Sequence, residues 1–380
     1  MELVNSTRMV AGYTMGIEPS GRELLVVVVK GTFQIPKNGE PVRLADEQVP
    51  LVMADTFTGK PGFSAPMHEV DFAPRKPRCD VLLNGSAYAP GGRPTARVEV
   101  GLRVNGMAKS FAVVGNRHWQ SGLRGMTGSE PRPFAVMPIS YDVAFGGVDN
   151  RHEDPAKHAA FMRNPIGKGF HKDLRPEWVD GAPLPNTEEV GRPVTSPDSQ
   201  AVLPMSFGSI GRGWDPRYKY AGTYDDKWRE DHFPFLPPDF DEQYYHAAPL
   251  DQQVPHLQGG EEIRLVNLTP DGQIAFALPV FDAPIRFFSK KAAQEHGTLV
   301  LDTVLLEPDK QRLMLTWRAT RPVKKSLFEI AQTVVGKPSR AWWAERQETG
   351  FRIPLVPLPP GEPEHDEPDV DEPDIDEPGK

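Results

Sequence analysis

The stretch ELLVVVVKGTFQI, residues 23–35, limits the fold more than any other. Its β-branched residues favour an extended, pleated backbone, and Pro36 stops it. It reads as a buried strand. Three hairpins extend the theme. TARVEVGLRV (95–104) and AKSFAVVG (108–115) flank Asn105-Gly106, the commonest chemistry of a tight hairpin turn. Alternation puts Val98, Val100, Leu102 and Val104 on one face. EEIRLVNL (261–268) and IAFALPVF (274–281) are joined through a turn containing Asp271-Gly272. TLVLDTVLLEP and QRLMLTWRA (298–319) turn at Asp309-Lys310. With DVLLNGSAY (80–88), these segments predict a mainly β protein, an antiparallel sandwich or two packed sheets with long ordered loops.

Proline supports that class. The 380 residues include 41 prolines, twice the usual share of ~5%, which suits turns and edges and works against a helical bundle. From 150 to about 255 the hydrophobic periodicity fades, and this section reads as irregular but ordered. Only DPAKHAAFM suggests a short helix there, with Asp154 as cap and Pro155 at its first position. Later, SLFEIAQTVVG (326–336) spaces Leu327, Ile330 and Val334 as a helix would, with Gly336 as its stop, and AWWAERQE suggests a further turn. The organisation expected is a β-rich domain over 1–325, a helix with a proline-rich extension over 326–361, and an acidic tail over 362–380. The last fifteen residues, DEPDV-DEPDI-DEPGK, are a pentapeptide repeat that cannot bury a core and is expected to be disordered.

That tail explains the formal charge of −9, because residues 362–380 hold ten carboxylates against Lys380. Residues 1–361 therefore balance near zero, which gives no electrostatic reason to expect a nucleic-acid partner. The single cysteine, Cys79, excludes an intrachain disulfide and cysteine-rich zinc sites; it reads as a packed thiol at the start of a strand. The N-terminus lacks a basic segment followed by an apolar one, and no apolar run approaches the ~20 residues of a membrane helix. A soluble, cytoplasmic protein is expected, with no membrane partner.

His152 and His158 in HEDPAKH are six apart with Pro155 between, which does not suit the i, i+4 geometry of a zinc helix. FGSIG (207–211) lacks the first glycine of a nucleophile elbow, and Phe207 stands in its place. GKPGFSA does not have phosphate-loop spacing, and no βαβ alternation hosts a dinucleotide. No catalytic residue, cofactor or metal ligand is predicted.

The segment AGTYDDKWREDHFPFLPPDFDEQYYHAAPLDQ (221–252) is the densest in polar and aromatic groups, with eight carboxylates and seven aromatic rings. Loop carboxylates commonly cap turns; Asp239 or Asp241 is expected to cap a short helical turn carrying Tyr244 and Tyr245, and the pair Asp251-Gln252 to hydrogen-bond neighbouring backbone. Disordered segments lack such aromatic density, and Tyr and Trp are favoured at protein interfaces. Trp214, Tyr224, Trp228, Tyr244 and Tyr245 are therefore the expected partner contacts. The alternative is a hydrolase or carbohydrate-binding protein using the carboxylates of 225–251.

AGTYDDKW (221–228), FLPPDFDEQYYHAAPLDQ (235–252) and GGEEIRLVNLTPDG (259–272) occur in an order and spacing that closely resemble a bacterial domain-of-unknown-function family. SFGSIGRGWDPR (206–217) and VAFGG (143–147) fit the same pattern. The resemblance spans residues 1–290 and is strongest over 206–278. It implies a type VI secretion adaptor-chaperone. Such a protein would bind a secreted effector and help load it on the spike, a valine-glycine-repeat protein tipped by a PAAR protein. It carries over no catalytic residues, and the acidic tail lies outside its pattern.

Overall fold

A computed structural model describes residues 1–348 apart from 38, 124, 290–292 and 325. The protein is mainly β, as expected. Its largest sheet runs in the order Gln253–Val254, Cys79–Leu83, Val300–Glu307, Arg312–Pro322, Glu23–Gln34 and Val10–Ile17, and Arg43–Leu44 also pairs with Glu23–Gln34. A second sheet runs Thr187–Glu188, Met107–Val114, Arg97–Val104, Glu262–Val266 and Gln273–Ala277, antiparallel throughout. A third runs Glu2–Ser6, Ile330–Gly336, Ile285–Ser289 and Gln294–Gly297.

All three hairpins form where the turn chemistry places them. Val104 pairs Met107 across Asn105, which takes φ 50. Val266 pairs Gln273, with Asn267 and Gly272 left-handed in the turn. Glu307 pairs Arg312 around a 3-10 turn that ends at left-handed Gln311.

The run 24–29 is apolar on consecutive positions because both faces of its strand are covered. Leu25, Val27, Val29 and Phe33 face the core shared with Val100, Leu102, Phe111, Ile263 and Leu265 of the second sheet. That shared core makes the two sheets a packed pair. Leu24, Val26 and Val28 face the other way, beneath Leu51 and Phe72 of the long loop that follows the strand. Further along the same face the strand turns polar, with Lys30 and Thr32 buried. Cys79 is a buried free thiol opening its strand.

One helix expectation is corrected. Residues 326–336 form a short 3-10 turn, Leu327–Glu329, followed by the strand Ile330–Gly336. Ile330, Thr333, Val334 and Val335 are β-branched, and both edges of the strand are paired, to Glu2–Ser6 and Ile285–Ser289. The helix comes one segment later, at Arg340–Glu348, where Trp342 and Trp343 pack against Phe288 and Val334. Similarly, DPAKHAAFM yields only the 3-10 turn Pro155–Lys157, with Asp154 capping Ala156 N as expected. The acidic repeats lie outside the described residues.

The irregular section is held by small cores that it shares with loops earlier in the chain. Trp119, Phe145, Phe161, Phe170 and Leu184 form one, and Ala65, Tyr141, Ala144, Ile210 and Trp214 another. Loop backbone is thus pinned by aromatic side chains at irregular spacing, which a periodicity search does not register.

Candidate functional site

Three carboxylates of 221–252 hold loop backbone in place. Asp225 accepts from Trp228 N at 2.8 Å and caps the short helix Asp226–Asp231. Asp239 accepts from Thr223 N and Oγ1 at 2.9 and 2.7 Å, bonds that hold its carboxyl below the ordinary range. Asp241 accepts from Gln243 N at 2.8 Å. Asp251 pairs with Lys109 at 3.1 Å. These oxygens face backbone amides, the Thr223 hydroxyl and a lysine; they do not converge on a shared cleft.

The aromatic residues divide into two groups. Trp214 is 7% exposed and stacks edge-on against Tyr141 at 5.4 Å, so it serves as core. Tyr244 and Tyr245 are half-buried around Phe240. Trp228 is half-buried, donates Nε1–H to Phe235 O at 2.9 Å, and packs edge-on with Tyr224 and Phe233. Tyr224 and Phe233 are 53% and 67% exposed. Tyr218 and Phe235 are also exposed. A half-buried indole thus props up a set of outward-facing rings.

Beside this segment lies a cavity of about 340 Å³. Lys109, Tyr141 and Arg163 line it together with residues drawn entirely from 203–253. Lys109 enters from the second sheet and is buried, with Nζ donating to Gln252 Oε1 at 2.7 Å. Burial pulls its ammonium below the ordinary lysine range, and Asp251 opposes that pull. Arg217 is buried too; it donates to the carbonyls of Tyr244 and Ile210 and pairs with Glu69 at 2.5 Å. Burial raises the Tyr141 phenol well above its usual value.

His246 borders the cavity at 1% exposure. Its Nδ1 is 2.7 Å from Asp80 Oδ1. Asp80 also accepts from Lys76 Nζ at 2.7 Å and from Ala247 N at 2.9 Å. Burial alone would raise this carboxyl; Lys76 and His246 outweigh it and hold it at about 2. An ionised Asp80 accepts only, so Nδ1 is the donor in this bond. The opposite nitrogen, Nε2, is buried and has no partner among the described residues.

Asp80 belongs to a polar row across the largest sheet. Lys30, Thr316, Thr303 and Asp80 are successive cross-strand partners, and Lys76 Nζ bridges the last two. Lys30 pairs with Asp71 at 2.6 Å and Arg318 with Asp302 at 2.5 Å. A bulge between Leu301 and Thr303 inserts Asp302 as the extra residue. A second cavity, of about 90 Å³, lies against this row.

The sequence profile of a family described as uncharacterized proteins conserved in bacteria, DUF2169, matches residues 20–318. The chain belongs to this family. No curated protein and no solved structure matches it. In this DUF2169 chain the segments 206–217 and 235–252 meet at the larger cavity, contributing among others Ile210, Arg217, His246 and Asp251. His152 and His158 bond each other locally, His158 Nε2 lying 2.8 Å from His152 O, and no metal-binding group is found among the described residues. No described helix is long and apolar enough to cross a membrane.

Sequence reasoning missed Lys76, Asp80, Lys109 and His246. Lys109 left a signal, because it lies in phase with Met107, Phe111 and Val113 on the buried face of its strand. The link from Asp80 to His246 spans 166 positions and leaves none.

Proposed function

We propose that this protein is a non-catalytic adaptor that captures another protein through the exposed rings of 218–235. The single observation carrying the reading is the arrangement of that segment. Asp225 is taken up in a cap and Asp226 in an ion pair, while Tyr218, Tyr224, Phe233 and Phe235 stand outward, the last three around the half-buried Trp228. Exposed apolar groups held in place suit an interface, and truncating a central aromatic contact typically costs ≥ ~2 kcal/mol of binding. Of the five contacts expected from sequence, Tyr224 and Trp228 belong to this surface; Tyr244 and Tyr245 lie beyond it, half-buried around Phe240, and Trp214 is core.

The resemblance to type VI secretion adaptors supplies the finer version. The partner would be a secreted effector, and the chain would help deliver it to the spike of valine-glycine-repeat and PAAR proteins. The test is affinity capture from the native host with mass spectrometry of what co-purifies. Capture of one effector, lost in Tyr224→Ala or Phe233→Ala protein that folds normally, supports the adaptor. A folded Asp239→Asn variant that keeps its partner yet loses a measurable hydrolysis would hand the case to the hydrolase alternative.

A further inference from the structure

The walls of the 340 Å³ cavity have an uneven charge balance. Lys109 is matched by Asp251 at 3.1 Å, Arg217 by Glu69 at 2.5 Å, and Asp215 by Lys219 at 2.6 Å. Arg163 has no ion-pair or hydrogen-bond partner among the described residues, and it is exposed to solvent. The cavity therefore holds one positive charge in excess, on a residue free to move toward a ligand. The remaining wall is largely apolar. Leu203 and Leu250 form an exposed lip, and Ile210, Ala248 and Pro249 lie deeper. A concave apolar space of this size with a few polar groups is the usual form of a site for a small organic group.

We propose that this cavity binds an apolar group bearing a single carboxylate, its body against Leu203, Ile210 and Leu250 and its anionic end on Arg163. Guanidinium suits this role because its fork of donors matches the two carboxylate oxygens, and it keeps its charge at any physiological pH. The two acidic residues of the wall do not repel such a ligand strongly, since each is already neutralised by its lysine. The same chemistry is offered by a free medium-chain acid and by the last residue of a polypeptide. The proposal does not depend on the adaptor reading: carboxylate binding without effector capture would keep one and remove the other.

Calorimetric titration of the full chain tests it with two matched pairs. One is octanoate against octanamide; the other is a heptapeptide ending in Leu-Leu with a free or an amidated C-terminus. At least one carboxylate should bind about tenfold more tightly than its amide, the loss expected for a charge-assisted hydrogen bond. Arg163→Gln, at an exposed position, should erase that difference without lowering Tm. Leu250→Asp, which adds a negative charge at the lip, should weaken the carboxylates more than the amides. Tighter octanoate assigns the site to a free acid, and a tighter peptide assigns it to a chain terminus. Equal binding of acids and amides, no binding of either carboxylate at millimolar concentration, or an undiminished preference in Arg163→Gln overturns the proposal.

Discussion

Gly146 shows how one residue sets a turn. Its φ is 152, and a Cβ there would overlap the carbonyl of Asn164. Gly147 takes φ 121 and donates its N–H to that same carbonyl at 2.9 Å. Asn164 is fully buried and donates Nδ2 to the carbonyls of Tyr141 and Phe145 at 2.8 and 3.1 Å. The VAFGG signature is therefore a close backbone crossing that no larger side chain can enter. Gly146→Ala should cost ~1–3 kcal/mol in a denaturant melt, the usual range for overpacking. A neutral result would mean that the crossing opens freely. Asp80 sets a pH limit. Its folded value of about 2 lies below the ordinary 3.8, so the stability it contributes is fully present above pH 4. That contribution, on the order of 2 kcal/mol, is lost as the pH falls from about 4 through 2. Glu307, also held at about 2 with help from His68, Lys310 and Arg312, loses its share in a window that opens slightly higher, from its ordinary 4.5. Thermal melts should hold level from pH 7 to 5 and drop steeply below pH 4. Asp80→Asn should lower the plateau and make the drop shallower.

Among the elements, the contrast between Trp214 and Phe233 separates pinning from presentation. Trp214→Ala should lower stability by ~3–5 kcal/mol, as core aromatic truncations do, and reduce soluble yield. Phe233→Ala, at a largely exposed position, should stay within about 0.5 kcal/mol of wild type by denaturant titration. Equal losses in both would place the outward rings in the fold. The same contrast explains what the sequence could tell. Glu23–Gln34 and the three hairpins were legible because turn residues and β-branched runs act locally. Ile330–Gly336 reads as a helix because Leu327, Ile330 and Val334 satisfy a helical spacing; the pairing with Ile285–Ser289 and with Glu2–Ser6, more than 300 residues upstream, makes it a strand. The five candidate rings are legible as a group, but that Trp214 is core depends on Tyr141 and Ala65, and no local rule reaches that far.

For the whole molecule, stability should grade from the double-covered sheet to the motif loops. Amides of Glu23–Gln34 and Arg312–Pro322 sit between paired neighbours with both faces buried, and they should exchange last in deuterium. Amides of 223–235, bonded within short local turns, should exchange first. A uniform exchange profile would contradict this gradient. The row Lys30–Thr316–Thr303–Asp80 gives the sheet a further property. A strand displaced by one residue presents its opposite set of side chains. In an oil-on-both-sides sheet such an error would go nearly unpunished. Here it would drive Lys30 into the cluster of Leu25, Val27 and Leu315 and strand Asp71 without its cation. The buried ions thus proofread the pairing, making the misaligned sheet, rather than the correct one, the state that suffers most from their presence.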